Sequence, residues 1–249
     1  VITKLIVRGL LAGLLAGLFA AAFAYAVGEP RIDQAIAIEE AASAAAPAAG
    51  SHSHEAAEPA AHSHDEDEAL VSRDGQRFGL FLALALYGLA VGGLFALVYA
   101  FLRGRAGPRS EPVLAVTLAA AAFGAIVLIP FLKYPANPPA VGDPETINQR
   151  TVLYLVAVLI GILAVAAGAA AYRYAAQREP WLRWLSAGAS VLIPVAVALI
   201  LLPEINEVPA GFPADLLWNF RIASIGTQAV FWTGIGALFA FAARGRSTG

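Results

Sequence analysis

Gly9-Leu10-Leu11-Ala12-Gly13-Leu14-Leu15-Ala16-Gly17-Leu18-Phe19-Ala20-Ala21-Ala22-Phe23-Ala24-Tyr25-Ala26-Val27 contains no charged residue. At 1.5 Å rise per residue a run of this length crosses the hydrocarbon core of a bilayer, which takes about 20 apolar residues. The run belongs to a span over Leu5–Val27, and five more segments share its character: Phe78–Leu102, Val113–Leu132, Thr151–Tyr172, Leu185–Leu202 and Ser224–Ala243. All are rich in Ala, Leu and Gly and lack the period-two alternation of strands. The predicted fold class is all-α: a polytopic membrane bundle of about six transmembrane helices, arranged as three hairpins, with residues 1–249 forming one transmembrane domain.

Composition agrees. Hydrophobic residues make up 59% of the chain and charged residues 14%, against about 25% charged in soluble domains. The chain has no cysteine and no methionine. Disulfides, thiolate metal sites and thiol nucleophiles are excluded, and so are soft thioether ligands. The first span has a rival reading. Lys4 and Arg8 precede an apolar run ending in Ala24-Tyr25-Ala26, a pattern resembling a signal peptide. The run exceeds the usual signal core of about 7–15 residues, so a retained span is favoured.

Lys and Arg near the span ends orient the bundle. With the N-terminus inside, 10 of the 16 basic residues flank the cytoplasmic side and 16 of the 18 acidic residues fall outside. Both termini are expected in the cytoplasm. Each hairpin then turns outside through a Pro-bearing loop. The second and third loops share a loose pattern, Pro130 to Pro139 and Pro203 to Pro213. An internal duplication would produce it, as would the ordinary collection of prolines in membrane loops.

The first outer loop, residues 28–76, holds all four histidines as His52-Ser53-His54 and His62-Ser63-His64, followed by Asp65, Glu66, Asp67 and Glu68. Imidazole is a common ligand for Zn, Cu, Ni and Co-type ions, and in extended chain an i, i+2 pair points to one side. His52, His54, His62, His64, Asp65 and Glu66 are therefore candidate metal ligands. They sit in a flexible, Ala-rich insert at about 41–68 with no core to fix a structural zinc geometry, so weak capture suits it better. The bland alternative is a solvated acidic linker. Before the insert, Ile32, Ile36 and Ile38 suggest a short interfacial helix beginning after Pro30.

Other outer residues offer oxygen ligands to a hydrated divalent cation at a vestibule: Glu29, Glu39, Glu40, Asn137, Asp143, Glu204, Asn206, Glu207 and Asp215. Pairing with Lys133, Arg150 or Arg221 in ordinary rim salt bridges is the competing reading. The span centres hold almost no ionisable residue, whereas proton relays and ion paths are usually marked by them. Hydroxyls and amides remain as path-facing candidates: Thr117, Tyr154, Ser190, Ser224, Thr227, Gln228 and Thr233. Gly9, Gly13 and Gly17 form a small-residue stripe that lets another helix approach closely, with Gly88 and Gly92 or another protein chain as its counterpart. No P-loop, Cys nucleophile or HExxH helix is present. An enzyme is not expected, nor a tightly bound cofactor, and no basic platform for nucleic acid exists.

Arg8-Gly9-Leu10-Leu11-Ala12-Gly13-Leu14-Leu15-Ala16-Gly17, Gly28-Glu29-Pro30, Glu39-Glu40, the string Pro130-Phe131-Leu132-Lys133-Tyr134-Pro135-Ala136-Asn137-Pro138-Pro139-Ala140-Val141-Gly142, Asn206-Glu207-Val208-Pro209 and Phe212-Pro213-Ala214-Asp215-Leu216-Leu217-Trp218 resemble CbtA, a predicted cobalt transporter family of bacterial integral membrane proteins. The resemblance covers most of the chain outside Ala41–Ala61. It implies uptake of cobalt linked to cobalamin synthesis, and a small membrane partner with a histidine-bearing end (CbtB-like). The family is commonly described with fewer spans than six, a difference that falls on the signal-like first segment. No family role passes to the His-Ser-His units.

Two functions follow as expectations. One is a membrane permease component for a divalent metal, cobalt favoured, whose partners are the lipid bilayer and the small histidine-bearing membrane protein. The other is a non-transporting assembly partner or metal sensor.

Overall fold

The computed structural model describes residues 2–45 and 72–243. Every regular element among them is helical: α1 Ile2–Phe23, α2 Glu29–Ala45, α3 Arg73–Leu102, α4 Glu111–Phe123, α5 Ile129–Lys133, α6 Ile147–Tyr174, α7 Pro180–Leu201 and α8 Ala214–Ala243. Wider π turns at Ala24–Gly28 and Gly124–Leu128 join α1 to α2 and α4 to α5. Six continuous helical units are long and apolar enough to cross a membrane, so the all-α six-span bundle is borne out.

The helices overrun the sequence-predicted spans, most of all at the first. The helix expected after Pro30 is present, but as residues 29–45 running on from the first span without the break expected at 28, and α3 begins at Arg73 rather than Phe78. Pro30 argues against such a continuation, since proline removes an N–H and its ring crowds the carbonyl four residues back. The π turn answers both problems. It ends two residues before Pro30, and its wider turn re-routes the hydrogen bonds, with the Glu29 N–H donating to the Ala24 carbonyl. Arg31 Nη1 donates to the Val27 carbonyl at 2.6 Å. The second π turn stands in the same place relative to Pro130, with the Ile129 N–H donating to Gly124. Pro203, by contrast, lies beyond the end of α7. The second and third loops thus differ at the first proline of their common pattern.

Small residues select which helices pack. Apolar faces gain nothing from one another in lipid, so close backbone approach and van der Waals contact decide. Gly9, Gly13 and Gly17 of α1 lie against Gly92, Gly88 and Leu84 of α3 running antiparallel. A Cβ built on Gly13 would stand 2.8 Å from the Gly92 Cα, and one on Gly17 would stand 3.1 Å from the Leu84 carbonyl carbon. The intramolecular reading of the glycine stripe therefore holds. Gly234 and Gly236 of α8 press on Ala16 of α1 and Ala119 of α4. The core thus forms where α1, α3, α4 and α8 meet, around Ala16, Phe95, Tyr99, Ile235 and Phe239.

The first two hairpins pack as expected, α1 on α3 and the α4–α5 unit on α6. The third turns back at the same end but does not pack on itself. Gly168 draws α6 against Ala187 and Val191 of α7, whereas α8 sits between α1 and α4. The lipid-facing surface is broad, with exposed Leu11, Phe19, Leu94, Leu159, Leu192 and Ile200. Exposed Tyr174, Trp181 and Trp184 at one end and Trp218 at the other stand where aromatic side chains anchor a bundle at the two interfaces.

Candidate functional site

The loops after α5 and α7 meet at one end of the bundle, beside the start of α8. Lys133 Nζ donates to the Leu199 carbonyl at 2.9 Å, and the Tyr134 hydroxyl donates to the Pro203 carbonyl at 2.9 Å. Arg221, on the first turns of α8, donates through Nη2 to Asn137 Oδ1 at 2.9 Å and through Nε to the Ala136 carbonyl at 3.4 Å. Gly142, with φ of +132°, turns the chain tightly enough that a Cβ would meet the Arg150 guanidinium. Prolines stiffen both loops, and these bonds tie them to three helices.

Glu207 is the hub of the loop contact. Its carboxylate accepts from the Thr146 hydroxyl at 2.6 Å and from the Asp143 amide at 2.8 Å, and lies 3.6 Å from Arg150 Nε. Thr146 first, then the Asp143 amide, hold the Glu207 carboxyl below the ordinary carboxylate range; burial opposes them and the Arg150 charge adds to the lowering. Asp143 itself caps the short turn at Pro144–Thr146, accepting from the Glu145 amide at 2.8 Å.

These contacts border an open cavity of about 440 Å³. Its polar lining includes Tyr134, Asn137, Arg150, Tyr154, Arg221 and Gln228. Two guanidiniums face it and no carboxylate or imidazole does, among the described residues. Ser224 also lines it, so three of the seven hydroxyl and amide candidates, Tyr154, Ser224 and Gln228, are gathered here. Thr227 instead donates to the Ala223 carbonyl one turn back on its own helix.

Of the expected vestibule acids, Asp143, through its amide, meets Glu207, and the others are spread over separate places. Glu29 is buried, pairing with Arg73 at 2.9 Å and Arg77 at 3.5 Å, and Asp33 contacts the same two arginines. This cluster ties α2 to the start of α3. Glu204 is exposed, 3.8 Å from Lys133 Nζ. Glu39, Glu40, Asn206 and Asp215 are exposed. Among the described residues no three His, Asp or Glu side chains converge on one point. His52, His54, His62, His64, Asp65 and Glu66 lie outside the described residues.

The competing reading, rim salt bridges from Lys133, Arg150 or Arg221, matches Lys133 with Glu204 and Arg150 with Glu207. Arg221 has no carboxylate within 4.0 Å among the described residues and turns to an amide and a backbone carbonyl instead. The signal was its register. Positions 221, 224, 225 and 228 recur at helical spacing and share one face of α8, a face hidden by starting the span at Ser224.

The family model for the probable cobalt transporter subunit (CbtA) matches residues 2–244. The chain belongs to the CbtA family. No curated protein and no solved structure matches it. The six apolar helices make this CbtA chain a multi-pass membrane protein, and the family's description makes it a probable subunit of a cobalt transporter. Being one subunit implies a further one beside it.

Proposed function

We propose that this chain is the permease component of a divalent-metal uptake system, with cobalt as its cargo and cobalamin synthesis as its destination. The family match over nearly the whole chain carries the proposal. The bundle lies in the bacterial inner membrane with both termini cytoplasmic, in keeping with the basic residues near Lys4, Arg105, Arg178 and Arg244. The loop-bearing end then faces outward. Exposed Glu39, Glu40, Glu204, Asn206 and Asp215, with the histidines of the insert, gather the hydrated ion there. A small histidine-bearing membrane protein completes the assembly.

One observation favours a second reading, in which the chain is an assembly partner or sensor. Among the described residues the cavity is lined by two arginines and no carboxylate, and like charge opposes a bare divalent cation there.

Reconstitution into proteoliposomes separates the two. The permease reading expects Co²⁺ to accumulate with the chain and its small partner together, and not with the partner alone. Changing His52, His54, His62 and His64 to Ala should raise the Co²⁺ needed for half-maximal uptake while leaving the maximal rate. Accumulation with the partner alone at the full rate would assign transport to the partner.

A further inference from the structure

The cavity at the loop-bearing end has the wrong sign for the cargo and the right sign for something else. We propose that it is a binding site for a small oxyanion, a carboxylate held by Arg221. This rests on the cavity's own chemistry and not on the metal-uptake reading.

Three observations carry it. The first is charge. Arg150 and Arg221 both line the space, and Arg150 is balanced by Glu207 at 3.6 Å. Arg221 has no carboxylate partner among the described residues. A partly buried cation without a counterion is costly, and an anion in the cavity supplies one.

The second is donor geometry. Guanidinium offers five N–H donors in a planar fork that matches a carboxylate or phosphate with two parallel hydrogen bonds. Arg221 spends Nε on Ala136 and Nη2 on Asn137. Its Nη1 has no partner among the described residues. The two bonds it makes fix the head group and leave donors for a ligand, an arrangement that preorganises the site.

The third is the neighbouring wall. Gln228 lies on the same face of α8, two turns further along, and lines the same space. Its side-chain amide is a further polar group there, able to bond a hydroxyl on the ligand. The volume of about 440 Å³ falls in the range of small-molecule sites. The ligand class is therefore a small hydroxycarboxylate, with the acid group at Arg221 and the hydroxyl toward Gln228. A lipid headgroup phosphate presents the same oxyanion chemistry, so the two sources are tested side by side.

The test uses the purified full chain in a neutral detergent, with thermal unfolding followed during titration with sodium malate against sodium chloride of equal ionic strength. Malate should raise the unfolding temperature of the wild type along a saturating curve that chloride does not reproduce. Arg221→Gln should abolish the response and Arg221→Lys weaken it, while Arg178→Gln, an exposed site at the other end, should keep it. Gln228→Leu leaves the cation in place and should lower malate affinity about tenfold, the value of one lost hydrogen bond. If Arg221→Gln does not fold, Arg221→Lys and Gln228→Leu decide, and unchanged affinity in both would overturn the site. In nanodiscs, an Arg221-dependent stabilisation by phosphatidylglycerol without any response to malate would assign the oxyanion to a headgroup. No Arg221-dependent response to either, or one reproduced by Co²⁺ alone, would overturn the proposal.

Discussion

Gly13 and Gly88 meet backbone to backbone where α1 crosses α3. A Cβ on Gly13 would lie 2.9 Å from the Gly88 carbonyl carbon, and a Cβ on Gly88 would lie 2.9 Å from the Gly13 carbonyl carbon. Neither distance is open to a real side chain, and the facing atoms are backbone, which cannot swing aside. Gly13→Ala should therefore destabilise the chain by about 1–3 kcal/mol, the usual cost of overpacking, and Gly13→Leu should remove most of the folded protein from the membrane. Gly188→Ala, where a Cβ meets nothing within 4 Å, is the control. Thermal unfolding in detergent compares them. Equal unfolding temperatures for wild type and Gly13→Ala would mean that the helices are not packed at this crossing.

Glu29 is predicted to be a structural anchor, not a metal gatherer. It is buried between Arg73 and Arg77, which stay about a third exposed. Glu29→Gln should cost about 1–3 kcal/mol, the range for an unmade bond to a charged group, and lower the amount of protein. Asp74→Asn, at a side chain 94% exposed, should change stability by less than about 0.5 kcal/mol. Uptake per molecule of Glu29→Gln should match the wild type. A raised cobalt requirement at unchanged stability would return Glu29 to the vestibule.

Glu207 should make the loop contact sensitive to acid. Its folded pKa is lowered, chiefly by Thr146 and the Asp143 amide. Its contribution is therefore present above the unfolded value, near the ordinary glutamate range, and lost as pH falls through the folded value. The wild type should unfold at a higher temperature than Glu207→Gln near neutral pH, and the gap should close once the pH is taken below the ordinary glutamate range. A gap that stays constant or widens in acid would contradict the ionised hub.

Much of this architecture is legible in the sequence. The spans are visible because a bilayer demands uninterrupted apolar length, and the glycine stripe because its four-residue spacing suits close helix packing. The helix through Gly28, Glu29 and Pro30 is not, because proline and glycine mark a break unless a π turn absorbs them. A π turn depends on a local shift of hydrogen-bond register that residue types alone do not encode. The partners of Glu29 are hidden for a different reason. Arg73 stands 44 residues along the chain, and nothing in the spacing says which of several acids it meets. At the candidate site the hydroxyl and amide lining is partly foreseen in Tyr154, Ser224 and Gln228. The role of Arg221 is not, because it lies just outside the apolar run that defines its span.

Topology follows from the basic flanks of the short loops. Reporter fusions after Arg105, Arg178 and Arg246 should all report cytoplasm. An external signal at Arg246 with the other two internal would leave an odd number of crossings after Arg178 and contradict a six-span chain with both ends inside.

Initial uptake of radiolabelled Co²⁺ at limiting concentration, in cells with the gene deleted and in the same cells carrying it back, tests whether this CbtA chain carries cobalt inward as proposed. A clear drop in initial rate is predicted on deletion, with full recovery by the wild-type chain and none by Gly13→Leu. Equal rates with and without the gene, with the small partner present and the chain shown to be in the membrane, would contradict it.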